Sequence, residues 1–146
     1  MPNSNSPRPK RLWVAAIMNV VVAGITVVAL VFMMTNDRVP VEVRPTATGA
    51  IMSGFLAAFL IATSLLTFLG YPKARWAVLG GALMFYGILL LQSLRLIVHP
   101  SEMLPEGSSP QLWANVIRNA IEISVNVWVF LSAKVVAFLR SADAPT

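Results

Sequence analysis

The side chains of this sequence that could carry chemistry are a few charged and amide groups set within long apolar runs. One group recurs at spacings of three and four near the end of the third run: Gln92, Arg95 and His99. A second group recurs at spacings of four, three and four in the fourth run: Asn115, Asn119, Glu122 and Asn126. Arg118 lies one turn before Glu122. Such spacings place side chains on one face of a helix, so each group predicts a polar stripe.

Ionisable groups at membrane depth are costly, and they mark either a buried pair or a functional site. If the third run passes outward and the fourth inward, the two stripes meet in the outer half of the membrane. Glu122 is then expected to form an ion pair with Arg95, Arg118 or both, because an unpaired carboxylate there would take up a proton.

Three interpretations of these stripes stay open. The first is a buried salt-bridge network that sets the helix register. The second is a polar pocket, open to the extracytoplasmic side, that binds a ligand, an ion or a partner's helix. The third is that the two arginines snorkel towards the interface without pairing.

The composition narrows the possible chemistry. The chain contains no cysteine and one histidine. Thiolate metal sites and cysteine nucleophiles are therefore excluded, and a single copy cannot build a cluster of several histidines. From the sequence we expect no catalytic residue, no metal and no cofactor.

Four apolar runs are long enough to hold these stripes within a bilayer. A helix needs about 20 apolar residues to cross the hydrocarbon core, and the runs cover about 12–34, 47–69, 75–98 and 111–139. Charged residues make up 12% of the chain, against roughly 25% in a soluble domain. The sequence predicts an all-α integral membrane protein, a four-helix bundle over residues 12–140. Residues 1–11 are expected to form a disordered basic tail and residues 141–146 a second tail.

Prolines and glycines divide the runs from one another. None of the ten prolines falls inside a run, as expected because proline interrupts helices. The segment from Gly70 to Lys73 predicts a tight antiparallel connection between the second and third runs. Ser109 followed by Pro110 is typical of the start of a helix and opens the fourth run. The first run is longer than the apolar part of a signal peptide, which favours a retained anchor.

Small residues recur at four-residue spacing on the first three runs, a pattern that favours close helix packing. The members of these stripes are Ala15, Asn19 and Ala23, then Gly54, Ala58 and Ala62, and finally Ala77 and Gly81.

Lysine and arginine are unevenly divided between the two sides that four crossings would create. Cytoplasmic segments are enriched in these residues. Seven lie on the side of the N-terminus: Arg8, Lys10, Arg11, Lys73, Arg75, Lys134 and Arg140. Arg38 and Arg44 lie on the other side. We therefore expect both termini in the cytoplasm and the protein in a bacterial cytoplasmic (inner) membrane. This topology accounts for the net charge of +5 without a nucleic-acid partner.

Two classes of function stay open. The first is a non-enzymatic multi-pass protein, such as an accessory subunit or an interaction protein, with a buried polar cluster near the extracytoplasmic side. The alternative is a subunit of a homo-oligomeric transporter or channel, since four spans are too few to enclose a wide path alone. The sequence does not favour an enzyme. The expected partners are the lipid bilayer and either another membrane protein or further copies of the chain.

Overall fold

The computed structural model describes residues 9–39, 41, 44–99 and 109–141. These residues are almost entirely helical and contain no strand. The helices are α1 (Lys10–Thr35), α2 (Ala47–Phe68), α3 (Ala74–Val98), α4 (Ser109–Leu131) and α5 (Ala133–Ser141). Of the two predicted tails, the structure describes residues 9–11 and the backbone of Ser141. The expected disorder of residues 1–8 lies outside the described residues.

The ends of α2 show why the chain breaks where it does. Before its first turn, the Thr46 hydroxyl accepts a hydrogen bond from the Gly49 amide at 3.2 Å, which satisfies one of the free amides of the helix start. Its end is closed by Gly70, whose φ of 97° is a left-handed conformation that glycine adopts without strain.

Two backbone hydrogen bonds complete this helix end. The Gly70 amide donates to the Thr67 carbonyl at 3.0 Å, and the Tyr71 amide donates to the Leu66 carbonyl at 3.1 Å. This pair of bonds is a Schellman motif. The predicted tight connection between the second and third runs is therefore present, and it returns the chain directly into α3.

Helices that follow one another in the chain pack side by side: α1 packs against α2, α2 against α3 and α3 against α4. The contact between α1 and α4 is smaller. At the start of α1, the ring of Trp13 packs edge-on against Phe68 of α2, with centroids 4.7 Å apart. The Arg11 guanidinium lies 4.3 Å from the ring centroid of Trp128 of α4. The N-terminal end of α1 thus lies beside the C-terminal ends of α2 and α4.

The buried core is a continuous cluster drawn from all five helices. Its largest fully buried members include Tyr86, Phe130, Leu12 and Leu60. The outer faces remain strongly apolar: Ile51 is 72% exposed and Val28 is 69% exposed. α1, α2 and α3 are long and apolar enough to cross a membrane. Apolar outer faces on helices of this length indicate a membrane protein.

The fourth run differs from the continuous helix that the sequence predicts. α4 and α5 qualify as a span only when taken together, and they are bent by 51° with respect to each other. Ser132 lies at the break, where its hydroxyl donates to the Val129 carbonyl at 2.7 Å. A serine hydroxyl that competes for helix carbonyls can bend a helix. After the bend, Val135 and Leu139 are buried whereas Lys134 is exposed, so α5 is amphipathic.

Candidate polar site in the protein interior

A hydrogen-bonded group of four polar side chains, one from each of α1 to α4, lies in the interior. We call this group the Asn19 network, and its members are Asn19, Ser64, Tyr86 and Asn126, each with no exposed surface. The two asparagines face each other in a reciprocal pair. Asn19 Nδ2 donates to Asn126 Oδ1 at 2.8 Å, and Asn126 Nδ2 donates to Asn19 Oδ1 at 3.0 Å.

The remaining capacity of both amides is also used. Asn19 Nδ2 donates to Ser64 Oγ at 3.2 Å, and Asn19 Oδ1 accepts from the Tyr86 hydroxyl at 3.1 Å. Asn126 Nδ2 donates its second hydrogen to the Glu122 backbone carbonyl at 2.8 Å. A primary amide offers two donors and an oxygen with two lone pairs, so Asn19 is fully satisfied. The Asn19 network therefore joins four helices without an unpaired donor on either asparagine.

The network lies towards the end of the protein that holds the α2–α3 turn. Asn19 is nine residues after Lys10, which is roughly 14 Å along α1 at 1.5 Å per residue. Ser64 is only four residues before the end of α2 at Phe68. The sequence places the polar cluster near the end of α3 and the start of α4, at the opposite end. Asn126 is the one member of the Asn19 network that belongs to the predicted cluster, and it lies in the last turns of α4.

A second polar region lies on the same face of α4, and we call it the Asn119–Glu122 pair. Asn119 is 1% exposed and Glu122 is 8% exposed. Asn119 Oδ1 and Glu122 Oε2 are buried, and neither has a hydrogen-bond partner within the described structure. The pair thus presents two acceptors, one helical turn apart, with no donor between them.

The predicted stripe on α3 does not meet the stripe on α4. Gln92, Arg95 and His99 are all exposed. The buried polar residue of this segment is Ser93, whose hydroxyl donates to the Leu89 carbonyl of its own helix at 2.9 Å. The three predicted residues share a face as expected, but that face points outward. They lie near the end of α3, where long polar side chains can reach water or head groups at low cost.

On α4, three of the five predicted polar residues are buried. Asn119, Glu122 and Asn126 are buried, Asn115 is partly buried and Arg118 is exposed. Arg118 is close enough to act on the Glu122 carboxylate electrostatically.

The predicted ion pair of Glu122 with an arginine is absent. Among the residues whose side chains the structure describes, Arg44 and Asp37 in the α1–α2 connection form an ion pair within 4.0 Å, and Glu122 forms none. The expectation of a pair with Arg95 or Arg118 is therefore wrong. Arg95 and Arg118 are both exposed, whereas Glu122 is buried.

Two further observations bear on chemistry. Within the described ranges, no three His, Cys, Asp or Glu side chains are grouped so that they could hold a metal ion. A cavity of about 230 Å³ lies between α1 and α2, and its walls, which include Trp13, Ile17 and Phe68, are entirely apolar. No residue of the two predicted stripes lines this cavity.

The sequence reasoning missed Ser64 and Tyr86, and it assigned Asn19 only to helix packing. A signal for Asn19 existed, because it is the one amide within the apolar run 12–34. Serine and tyrosine are common in apolar helices, so nothing in the pattern distinguished Ser64 or Tyr86.

No known protein family matches the sequence, and no curated protein or solved structure is significantly similar to it.

Proposed function

We propose that this chain is a small integral membrane protein whose four spans, α1, α2, α3 and the bent α4–α5 pair, form a bundle. We further propose that both termini are cytoplasmic and that the protein is non-enzymatic, an accessory or interaction protein that binds another membrane helix. The distribution of lysine and arginine supports the orientation. The closed hydrogen bonding of the Asn19 network supports a structural interior rather than a reaction centre.

The observation that favours an interaction role is a strip of small residues on α2 that leaves room for a neighbouring helix within the described part of the chain. We call it the α2 strip, and its members are Gly54, Ala58 and Ala62. A Cβ atom added at Gly54 would meet nothing within 4 Å, and Ala58 and Ala62 are exposed.

Gly81 of α3 shows how a small residue permits close helix packing within this protein. A Cβ atom added at Gly81 of α3 would lie 3.0 Å from the ring of Phe59 on α2, so Gly81 allows these two helices to approach closely. Small residues at four-residue spacing serve the same purpose between separate membrane helices. The α2 strip therefore resembles a helix contact surface that no described residue occupies, and we infer that a further membrane helix packs there.

Bulky substitutions test this surface. We expect Gly54→Leu and Ala58→Leu to reduce the fraction of protein in a defined complex at least tenfold, because a leucine side chain prevents close approach of the partner helix. The measurement is native mass spectrometry of the tagged protein extracted in lipid particles from its own membrane.

Ala120→Leu is the matched control, since Ala120 is also an exposed small residue, on α4. This variant should keep the complex. A wild-type protein that is monomeric in these particles would contradict the proposal, as would leucine variants that keep the complex.

The alternative is a subunit of a homo-oligomeric transporter or channel, and the unpartnered oxygens of the Asn119–Glu122 pair favour it. Unsatisfied acceptors at membrane depth are typical of ion pathways. A complex that contains only copies of this chain, together with ion flux in vesicles that Glu122→Gln abolishes, would support this alternative over an accessory role.

A further inference from the structure

Two oxygens of the Asn119–Glu122 pair lack a hydrogen-bond donor within the described structure. Asn119 Oδ1 and Glu122 Oε2 are both acceptors, and both are buried without a partner in the described structure. Residues three apart on a helix are neighbours on its surface. An ionised carboxylate has no hydrogen to donate, so these two oxygens, as they are placed, cannot satisfy each other while Glu122 is charged. A single hydrogen between them would satisfy both.

Tyr86, Asn126 and Arg118 do not supply this hydrogen. The Tyr86 hydroxyl is donated to Asn19 Oδ1 at 3.1 Å. Both hydrogens of Asn126 Nδ2 are used, one for Asn19 Oδ1 and one for the Glu122 carbonyl. The Arg118 side chain is exposed and makes no ion pair with Glu122. Two sources of a hydrogen remain: the Nδ2 group of Asn119 after rotation of its amide, and a proton taken up by Glu122 from water.

We propose that Glu122 is a reversible proton-binding site. Its carboxylate takes up one proton from water, and the O–H formed at Oε2 is donated to Asn119 Oδ1. Loss of the proton to water restores the carboxylate. This inference goes beyond the proposed interaction role and does not depend on a partner.

Burial favours the protonated form of Glu122, which is 8% exposed, whereas the Arg118 cation favours the carboxylate. The titratable or charged groups close enough to act on Glu122 are the Tyr86 phenol from α3 and the Arg118 guanidinium from α4 itself. On the α1 side the Asn19 network is neutral, and Lys134 and Arg140 of α5 are exposed. Since Arg118 is exposed and no cation of the described residues lies within ion-pair distance of Glu122, a carboxylate there would be a buried charge with only partial compensation, which is unfavourable.

Infrared spectroscopy of the full chain in lipid vesicles tests the proposal, because the C=O stretch of a protonated carboxyl is separate from the bands of a carboxylate. We expect a protonated-carboxyl band at neutral pH that disappears reversibly when the pH is raised. Glu122→Gln should remove this band. Asp37→Asn is the control and should keep it, because Asp37 has a fully exposed carboxylate.

Asn119→Leu tests whether Asn119 Oδ1 accepts the hydrogen bond from the protonated Glu122 carboxyl. The band should persist in this variant but move to higher frequency, since the hydrogen bond from the carboxyl is lost. If Glu122→Gln does not fold, isotope-labelled glutamate in the Asn119→Leu and unsubstituted proteins gives the same information without that variant.

Three results would overturn the proposal. The first is a neutral-pH spectrum in which no protonated glutamate band is present. The second is a band that Asn119→Leu leaves unshifted, which would remove Asn119 as the acceptor. The third is a band that sodium ions abolish at constant pH, which would make the pair a cation site. None of these results depends on whether the α2 strip binds a partner, so failure here and failure of the proposed function are distinguishable.

Discussion

The Asn19 network and the Asn119–Glu122 pair are two buried polar regions on one face of α4, yet they differ in hydrogen bonding. In the network, both asparagines have all their amide hydrogens paired, and Asn19 Oδ1 also accepts from Tyr86, so the members come from four helices. In the pair, one amide oxygen and one carboxylate oxygen have no partner within the described ranges. A satisfied buried network makes a core rigid and specific, whereas an unsatisfied group requires an explanation. Burial of polar residues alone therefore does not separate structural from functional positions.

The largest expected effect comes from breaking the reciprocal amide pair. Asn126→Leu removes two interhelical hydrogen bonds and leaves one buried hydrogen of Asn19 Nδ2 unpaired. Interhelical bonds in membranes are worth roughly 0.6 to 2 kcal/mol each, so for two bonds we expect a loss of about 1 to 4 kcal/mol in the free energy of unfolding. Titration with a denaturing detergent, followed by circular dichroism, measures this loss.

The double variant Asn19→Leu with Asn126→Leu is the control for this prediction. Because the two side chains interact directly, the double variant should lose less than the sum of the single losses. Strictly additive losses would show that the reciprocal pair does not couple α1 to α4.

A smaller effect is expected at the edge of the Asn19 network. Tyr86→Phe removes one donor, but Asn19 Oδ1 keeps its bond from Asn126, so no oxygen of the pair loses all its partners. We expect a loss of about 1 kcal/mol, the typical net value of one hydrogen bond, in the same detergent titration. A loss equal to that of Asn126→Leu would contradict the view that the amide pair is the centre of the network.

The smallest effect is expected in the Asn119–Glu122 pair. Asn119→Leu exchanges an amide of similar size for an apolar side chain, and Asn119 Oδ1 has no partner in the described structure apart from the proposed proton on Glu122. We expect a loss below about 1 kcal/mol, again by detergent titration. A loss larger than that of Asn126→Leu would reverse the comparison between the two regions.

Much of the helical architecture was predictable from the sequence. The apolar runs, the absence of proline within them and Gly70 after α2 act through local rules of helix formation, and they located four of the helices. The break at Ser132 was not predictable in the same way, because a serine inside an apolar run is compatible with either a straight or a bent helix.

The candidate site was only partly predictable. Spacing correctly placed Asn119, Glu122 and Asn126 on one face, because helical periodicity depends on the chain alone. Spacing could not show which face of α3 turns inward, and therefore Arg95 was paired with Glu122 in error. It also could not show that Asn19, 107 residues away in the chain, is the partner of Asn126.

By itself, the sequence determined that this is an apolar helical protein with breaks near residues 35–46 and 69–73, because hydropathy and helix termination are properties of local segments. Only the tertiary structure decided that Asn19, Ser64, Tyr86 and Asn126 meet and that Glu122 forms no ion pair with the described residues. The physical reason is that hydrogen-bond partners are set by how helices rotate and pack against one another. That packing depends on contacts between residues far apart in the chain.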